Sequence, residues 1–137
     1  SRENLIAFSE MTRKGFGEDL YAKVIAGDSQ DDTSQLVVVD GIRREADISE
    51  LRKLENFHLV YVTAPAEMRY KRMQTRGENV GEAEMSWEGF MEEENASTEV
   101  AIPKLGAEAE HRIDNIGTFE EFHMQLESVM DKISNQE

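Results

Sequence analysis

Apolar residues along this chain change spacing as it proceeds. Over residues 4–14, Leu5, Phe8 and Met11 recur every third position, which predicts a helix with those side chains near one face; Gly15 and Gly17 break it. Asp19 to Ala26 reads as a second short helix stopped by Gly27, and DSQDDTSQ (28–35) as a polar loop. The pattern then becomes continuous. LVVVD (36–40) and HLVYVTA (58–64) are unbroken runs rich in β-branched residues, the pattern of strands covered on both faces in a parallel sheet. Residues 47–54 between them predict a helix that buries Leu51 and Leu54.

Pro65 is placed to open a helix running to about Arg76, since proline is tolerated in a first turn. Gly77 to Met85 reads as a loop, and Ser86 as the cap of a helix through about Glu94. Residues 96–108 carry no clear period, with a helix expected after Pro103. HRIDN (111–115) predicts a short third strand. Thr118 and Glu121 have capping-box spacing ahead of a last helix whose core face is Phe122, Leu126, Val129, Met130 and Ile133. Strands alternating with helices predict an α/β fold, a parallel sheet between two helical layers, as one domain over 1–137 with a lid-like insertion at about 77–103. Three parallel strands make a thin sheet for this architecture, so a further strand–helix unit is expected ahead of residue 1.

Composition narrows the function. The 137 residues are 39% hydrophobic and 32% charged, with a formal net charge of −14. That field opposes general nucleic-acid binding, which needs phosphate neutralisation by cations. No apolar run approaches the ~18 residues of a membrane span. The absence of cysteine excludes disulfides and thiolate metal sites. No secretory leader is visible, and a cytoplasmic location is expected. The charge is unevenly placed: Arg and Lys cluster at 43–44, 52–53 and 69–76, whereas 78–99 is mostly acidic.

The chemistry concentrates at predicted strand ends, where open α/β sheets bind their ligands. Asp40 ends the first strand, followed by Gly41, Arg43 and Arg44. A carboxylate there can order Mg²⁺ through water, and Arg43 can fork two hydrogen bonds to a phosphate; the same residues also suit an ordinary strand-to-loop turn. After the second strand, Arg69, Arg72 and Arg76 fall on one helical stripe. Three guanidiniums so aligned call for a bound anion or for carboxylate partners on a solvated face. His58, His111 and His123 show no ligand spacing, with His58 and His111 expected to flank strands. Trp87, Phe90 and Met91 are expected to be packing residues, and no nucleophile–base pair can be read.

Taken in order, the motifs resemble the nucleotide-kinase branch of the P-loop NTPases. VVVDGIRR resembles the strand-to-substrate turn of adenylate kinases. RMQTRG resembles the start of their lid, and MSWEGFMEEE is similar to the lid helix of relatives of dephospho-CoA kinase and deoxynucleotide kinase. EHRIDNIGTFEEF resembles the final strand and helix of dephospho-CoA kinases, and SRENLIAFSEMTRKGFGEDLYAKVI the substrate-side helices of the same group. The resemblance implies transfer of a phosphoryl group from ATP, with Mg²⁺, to a nucleotide or dephospho-CoA-like acceptor. It implies Arg72 and Arg76 as catalytic lid arginines, Arg43, Arg44 and Arg69 on the substrate, Asp40 on the metal, and Asn115, Gly117 and Thr118 near the adenine. Departures stand beside it. The sequence has no G-x-x-x-x-G-K-[ST] and no Gly-Lys pair, and 77–103 contains no arginine. Three explanations stay open: an N-terminal strand–loop–helix unit lies outside this sequence, the chain is a non-catalytic kinase-like module that binds nucleotide or protein, or a second chain supplies the phosphate loop. An unpaired sheet edge would also favour a homodimer.

Overall fold

The computed structural model describes residues 2–77, 81–96 and 99–135, which form two compact units, residues 1–57 and 58–137. Among the described residues the fold is α/β, with seven α-helices and one two-stranded parallel sheet. No described helix is long and apolar enough to cross a membrane.

The first unit is helical: α1 (Arg2–Phe16), α2 (Leu20–Asp31), α3 (Glu45–Ile48) and a 3₁₀ turn at Leu51–Lys53. Gly27 does not stop α2. Glycine inside a helix costs only about 1 kcal/mol, and the helix runs four residues past it to Asp31. Ala22, Ala26, Ile48 and Leu51 are the buried apolar residues of the unit, and α2 packs on α3 and the 3₁₀ turn. Among them sits an ion pair: Arg13 on α1 reaches Asp47 on α3 at 2.6 Å, with both residues buried. Arg13 also donates to the Glu18 carbonyl and lies 4.8 Å over the Tyr21 ring. The other oxygen of Asp47 accepts the backbone N–H groups of Arg43 (3.1 Å) and Arg44 (3.0 Å), which closes the start of α3.

The predicted strand at 36–40 does not form among the described residues. Leu36, Val37 and Val38 are irregular and exposed. A strand exists only through ladder hydrogen bonds to a neighbour, and the described part of this unit holds no other strand to pair with. Leu5, Phe8 and Met11 on α1 are likewise exposed. The predicted helix at 47–54 is instead the short α3 plus the 3₁₀ turn.

The second unit holds the sheet. β1 (Val60–Thr63) pairs in parallel with β2 (His111–Asp114), with Val60 beside His111 and Thr63 beside Asp114. The sheet therefore has two strands rather than the three predicted. Parallel neighbours need a long crossover, here α4 (Ala66–Arg76), α5 (Trp87–Glu94) and α6 (Ile102–Glu108). β2 alternates, His111 and Ile113 buried and Arg112 exposed. Val62 of β1 is exposed, so β1 is not covered on both faces as expected.

Two strands alone are marginal, and helices supply what further strands would. α6 packs on β1 through Gly106, where an added Cβ would lie 2.6 Å from the Tyr61 ring. The last helix, α7 (Phe119–Ser134), is tied to β2 by Gln125, whose side chain accepts from the Asp114 N–H and donates to the Asp114 carbonyl, both at 3.1 Å. Of its predicted core face, Val129 is buried, Phe122, Leu126 and Ile133 half-buried, and Met130 exposed.

Two outcomes follow from this packing. Asp47→Ala leaves the Arg13 charge buried without its partner and should destabilise the protein by about 3–5 kcal/mol in urea unfolding; a loss below about 1 kcal/mol would mean that solvent reaches the pair. Gly106→Ala should cost about 1–3 kcal/mol by overpacking against Tyr61, read in the same titration.

Candidate functional site

Parallel strands place their carboxyl ends together, so the segments leaving β1 and β2 begin side by side. β1 leads through Pro65 into α4, and β2 leads into Asn115-Ile116-Gly117-Thr118 and α7. The Asn115 N–H extends the ladder by donating to the Thr63 carbonyl at 2.8 Å. Arg72, two turns into α4, donates from Nη1 to the Asn115 carbonyl at 2.7 Å. The fold thus brings together two sequence-predicted elements that lie 43 residues apart: a lid arginine and the Asn-x-Gly-Thr turn.

The turn is a closed capping box. The Thr118 hydroxyl accepts from the Glu121 N–H at 3.2 Å, and a Glu121 carboxylate oxygen accepts from the Thr118 N–H at 2.7 Å. A Cβ at Gly117 would lie 1.9 Å from that same oxygen, so any side chain there displaces the carboxylate that completes the box. With this N–H already bonded and Glu120 and Glu121 in the first turn, the positive end of the α7 dipole already faces carboxylates of the chain itself. The Ile116 and Phe119 side chains beside it are exposed. A shallow open groove of about 580 Å³ runs from Ile116 and Gly117 along α7 to Lys132. On its β2 side the Arg112 guanidinium is paired with Asp114 at 2.8 Å, a hydrogen bond that raises the Arg112 pKa above its ordinary value.

The arginine stripe of α4 is present, and carboxylates of the following acidic segment answer it. Arg69 pairs with Glu94 at 2.5 Å and also donates from Nε to the Ala64 carbonyl. Arg76 pairs with Glu82 at 3.1 Å, and Glu82 is buried. Two ion pairs thus link basic 69–76 to acidic 78–99 across Gly77, the left-handed C-cap of α4; residues 78–80, 97 and 98 lie outside the described residues. α5 docks on α4 through an aromatic cluster, with Tyr70 5.3 Å from Trp87 and 5.5 Å from Phe90, and Trp87 stacked on Phe90 at 5.6 Å. The Tyr70 hydroxyl donates to the Met85 carbonyl at 2.8 Å, and Ser86 caps α5. Trp87 and Phe90 are thus packing residues, as the sequence suggested, and they hold the lid-like helix against the arginine helix.

The remaining predicted site residues belong to the first unit. Asp40 and Arg43 are exposed and Arg44 is half-buried. Asp47 organises the backbone at Arg43 and Arg44, a role that sequence reading missed. Its signal was local, an acidic residue three positions after Arg44 in capping-box register; its partner Arg13, 34 residues away, left none. Asp40 belongs to no cluster of three metal-capable side chains among the described residues. A Mg²⁺ ion ordered by Asp40 would draw its other ligands from phosphate and water, which is how Mg²⁺ is commonly held. Sequence reading also left His58 and His111 unrelated; the structure brings them together with Glu110 at the opposite, amino ends of the two strands.

No family model matches the chain. It is similar to a UPF0200 protein of Saccharolobus islandicus, 28% identical over 133 residues, covering 96% of this chain and 70% of that protein. A UPF0200 protein of Sulfurisphaera tokodaii is 28% identical over 131 residues (96% and 72%). One from Thermococcus gammatolerans is 28% identical over 138 residues (97% and 72%). The shared designation states no activity.

If the aromatic cluster holds α5 to α4, Phe90→Ala should destabilise the second unit by about 3–5 kcal/mol. It should also shift the emission of Trp87, the single tryptophan, to the red. An unshifted spectrum would mean that α5 is held by its ion pairs instead.

Proposed function

We propose that this chain is part of a nucleotide-kinase-like phosphotransferase that moves the ATP γ-phosphoryl group to a nucleotide or dephospho-CoA-like acceptor. The observation that carries the reading is the Arg72–Asn115 hydrogen bond at the carboxyl ends of two parallel strands. It sets the arginine helix beside the turn to which the resemblance assigns the adenine, at the end of the sheet where α/β folds bind ligands. In this reading Ile116 and Phe119 flank the base. Arg72 and Arg76 neutralise charge spreading over the phosphoryl oxygens, and Arg69 steadies the same helix face. Arg43 and Arg44 hold the acceptor, and Asp40 orders Mg²⁺. The β- and γ-phosphates need a glycine-rich loop with its lysine, which these 137 residues do not contain; the proposal assigns that part to residues beyond this sequence or to a second chain.

One observation favours a different reading. Arg69 and Arg76 already have carboxylate partners in Glu94 and Glu82, so a triphosphate must compete for them. A non-catalytic module that binds a partner through its acidic segment needs no such displacement.

ADP release by the full-length protein, supplied with Mg-ATP and a panel of nucleoside monophosphates and dephospho-CoA, separates the two. Release with one acceptor class is expected. Arg72→Ala and Arg76→Ala should each lower kcat by about 10²–10³-fold with an unchanged circular dichroism spectrum. Silence across the panel would end the kinase reading in favour of the module, and unchanged turnover in either variant would remove that arginine from the mechanism.

A further inference from the structure

Parallel pairing also brings the amino ends of β1 and β2 together, and there the chain gathers two imidazoles and a carboxylate. His58 lies two residues before β1, Glu110 one residue before β2, and His111 at the first position of β2. The His58 Nδ1 and a Glu110 carboxylate oxygen are 2.9 Å apart, and His111 Nε2 lies 4.0 Å from the same oxygen. One ligand atom from each residue falls within 4.8 Å of the other two. The two rings are tilted by 45° with centroids 5.7 Å apart, so they do not stack.

The decisive feature is His111. It is 9% exposed, and its Nε2 has no hydrogen-bond partner. A buried polar atom without a partner costs about 1–3 kcal/mol, so its position, facing the cluster, calls for a ligand. A proton does not solve the problem by itself, because at 4.0 Å the carboxylate is beyond hydrogen-bonding reach. A cation held between the three groups does.

We propose that His58, Glu110 and His111 form a binding site for a borderline divalent metal ion of the Zn²⁺ type. Imidazole suits Zn²⁺, and two histidines with one carboxylate are a recurring donor set for it. Zn²⁺ binds such ligands at about 2.0–2.2 Å, which puts tetrahedral ligand atoms about 3.3 Å apart. The two separations from the Glu110 oxygen, 2.9 and 4.0 Å, bracket that value, and the two imidazole ligand atoms lie within 4.8 Å of each other. Glu110, whose side chain is 55% exposed, has the freedom to make the small adjustment. Three protein ligands leave a fourth position for water or for a ligand that binds the metal. The ion would join the entry to β1 with the start of β2 and reinforce a sheet of only two strands. The site lies at the opposite strand ends from Arg72 and Asn115 and is independent of the phosphotransfer reading.

Calorimetric titration of metal-stripped protein with zinc chloride tests this. One high-affinity Zn²⁺ per chain is expected, with a rise in Tm and a visible ligand-field band when Co²⁺ replaces Zn²⁺. His58→Ala, His111→Ala and Glu110→Gln should each weaken binding by at least about 100-fold, since even residues that only support a metal ligand contribute about 10–100-fold. His123→Ala, on α7, should leave affinity unchanged. His111→Ala risks the fold because the residue is buried; Glu110→Gln and His58→Ala decide the matter if it fails. No zinc uptake by the unaltered protein, or uptake undiminished in Glu110→Gln and His58→Ala, would overturn the proposal.

Discussion

The parallel hydrogen bonding of β1 to β2 is the constraint on which the second unit depends. An antiparallel pair would have mixed the two kinds of strand end. The parallel register, with Val60 beside His111 and Thr63 beside Asp114, instead collects like ends. At the carboxyl ends it delivers the arginine helix and the Asn-x-Gly-Thr turn to one place. At the amino ends it delivers His58, Glu110 and His111 to another. A short ladder thus sorts residues from distant parts of the sequence into two chemically different groups, one guanidinium-rich and one imidazole–carboxylate. It also imposes the crossover of α4, α5 and α6, since parallel neighbours cannot be joined by a tight turn.

Charge is the second organising factor, and it acts locally. Part of the acidic excess behind the net charge of −14 is set against specific cationic partners. Glu82 and Glu94 answer Arg76 and Arg69, and Asp47 answers Arg13 while it fastens the backbone at Arg43 and Arg44. These pairs differ in worth. The half-exposed Arg69–Glu94 pair is screened by water and contributes little to stability. The buried Arg13–Asp47 pair is costly to break, because removing one partner strands a charge away from solvent. On the same helix as Arg69, the Arg76–Glu82 pair differs from the Arg69–Glu94 pair, because Glu82 is buried and would lose that partner if Arg76 were drawn away.

Local chemistry was legible in the sequence. The proline-led α4, the Ser86 cap of α5 and the Thr118–Glu121 capping box formed where read, because each depends on residues within about one turn of itself, and β1 and β2 formed where read because each has the other as its ladder partner. Other local readings failed, among them the breaks at Gly15 and Gly27, the single helix at 47–54 and the strand at LVVVD. Gly27 carries only a small penalty that its neighbours in α2 outweighed. LVVVD has strand composition, but the described residues of its unit offer no ladder, and composition cannot make one. The α/β class, the arginine stripe and the acid–base contrast around Gly77 were thus fixed by order and spacing alone. Tertiary structure decided which groups meet: Arg72 with Asn115, Arg13 with Asp47, His58 with Glu110 and His111. Those partners lie 34 to 53 residues apart, and a separation of that length leaves no periodic trace. Only the pairing of strand ends and the closing of helices onto them brings such residues within reach of one another.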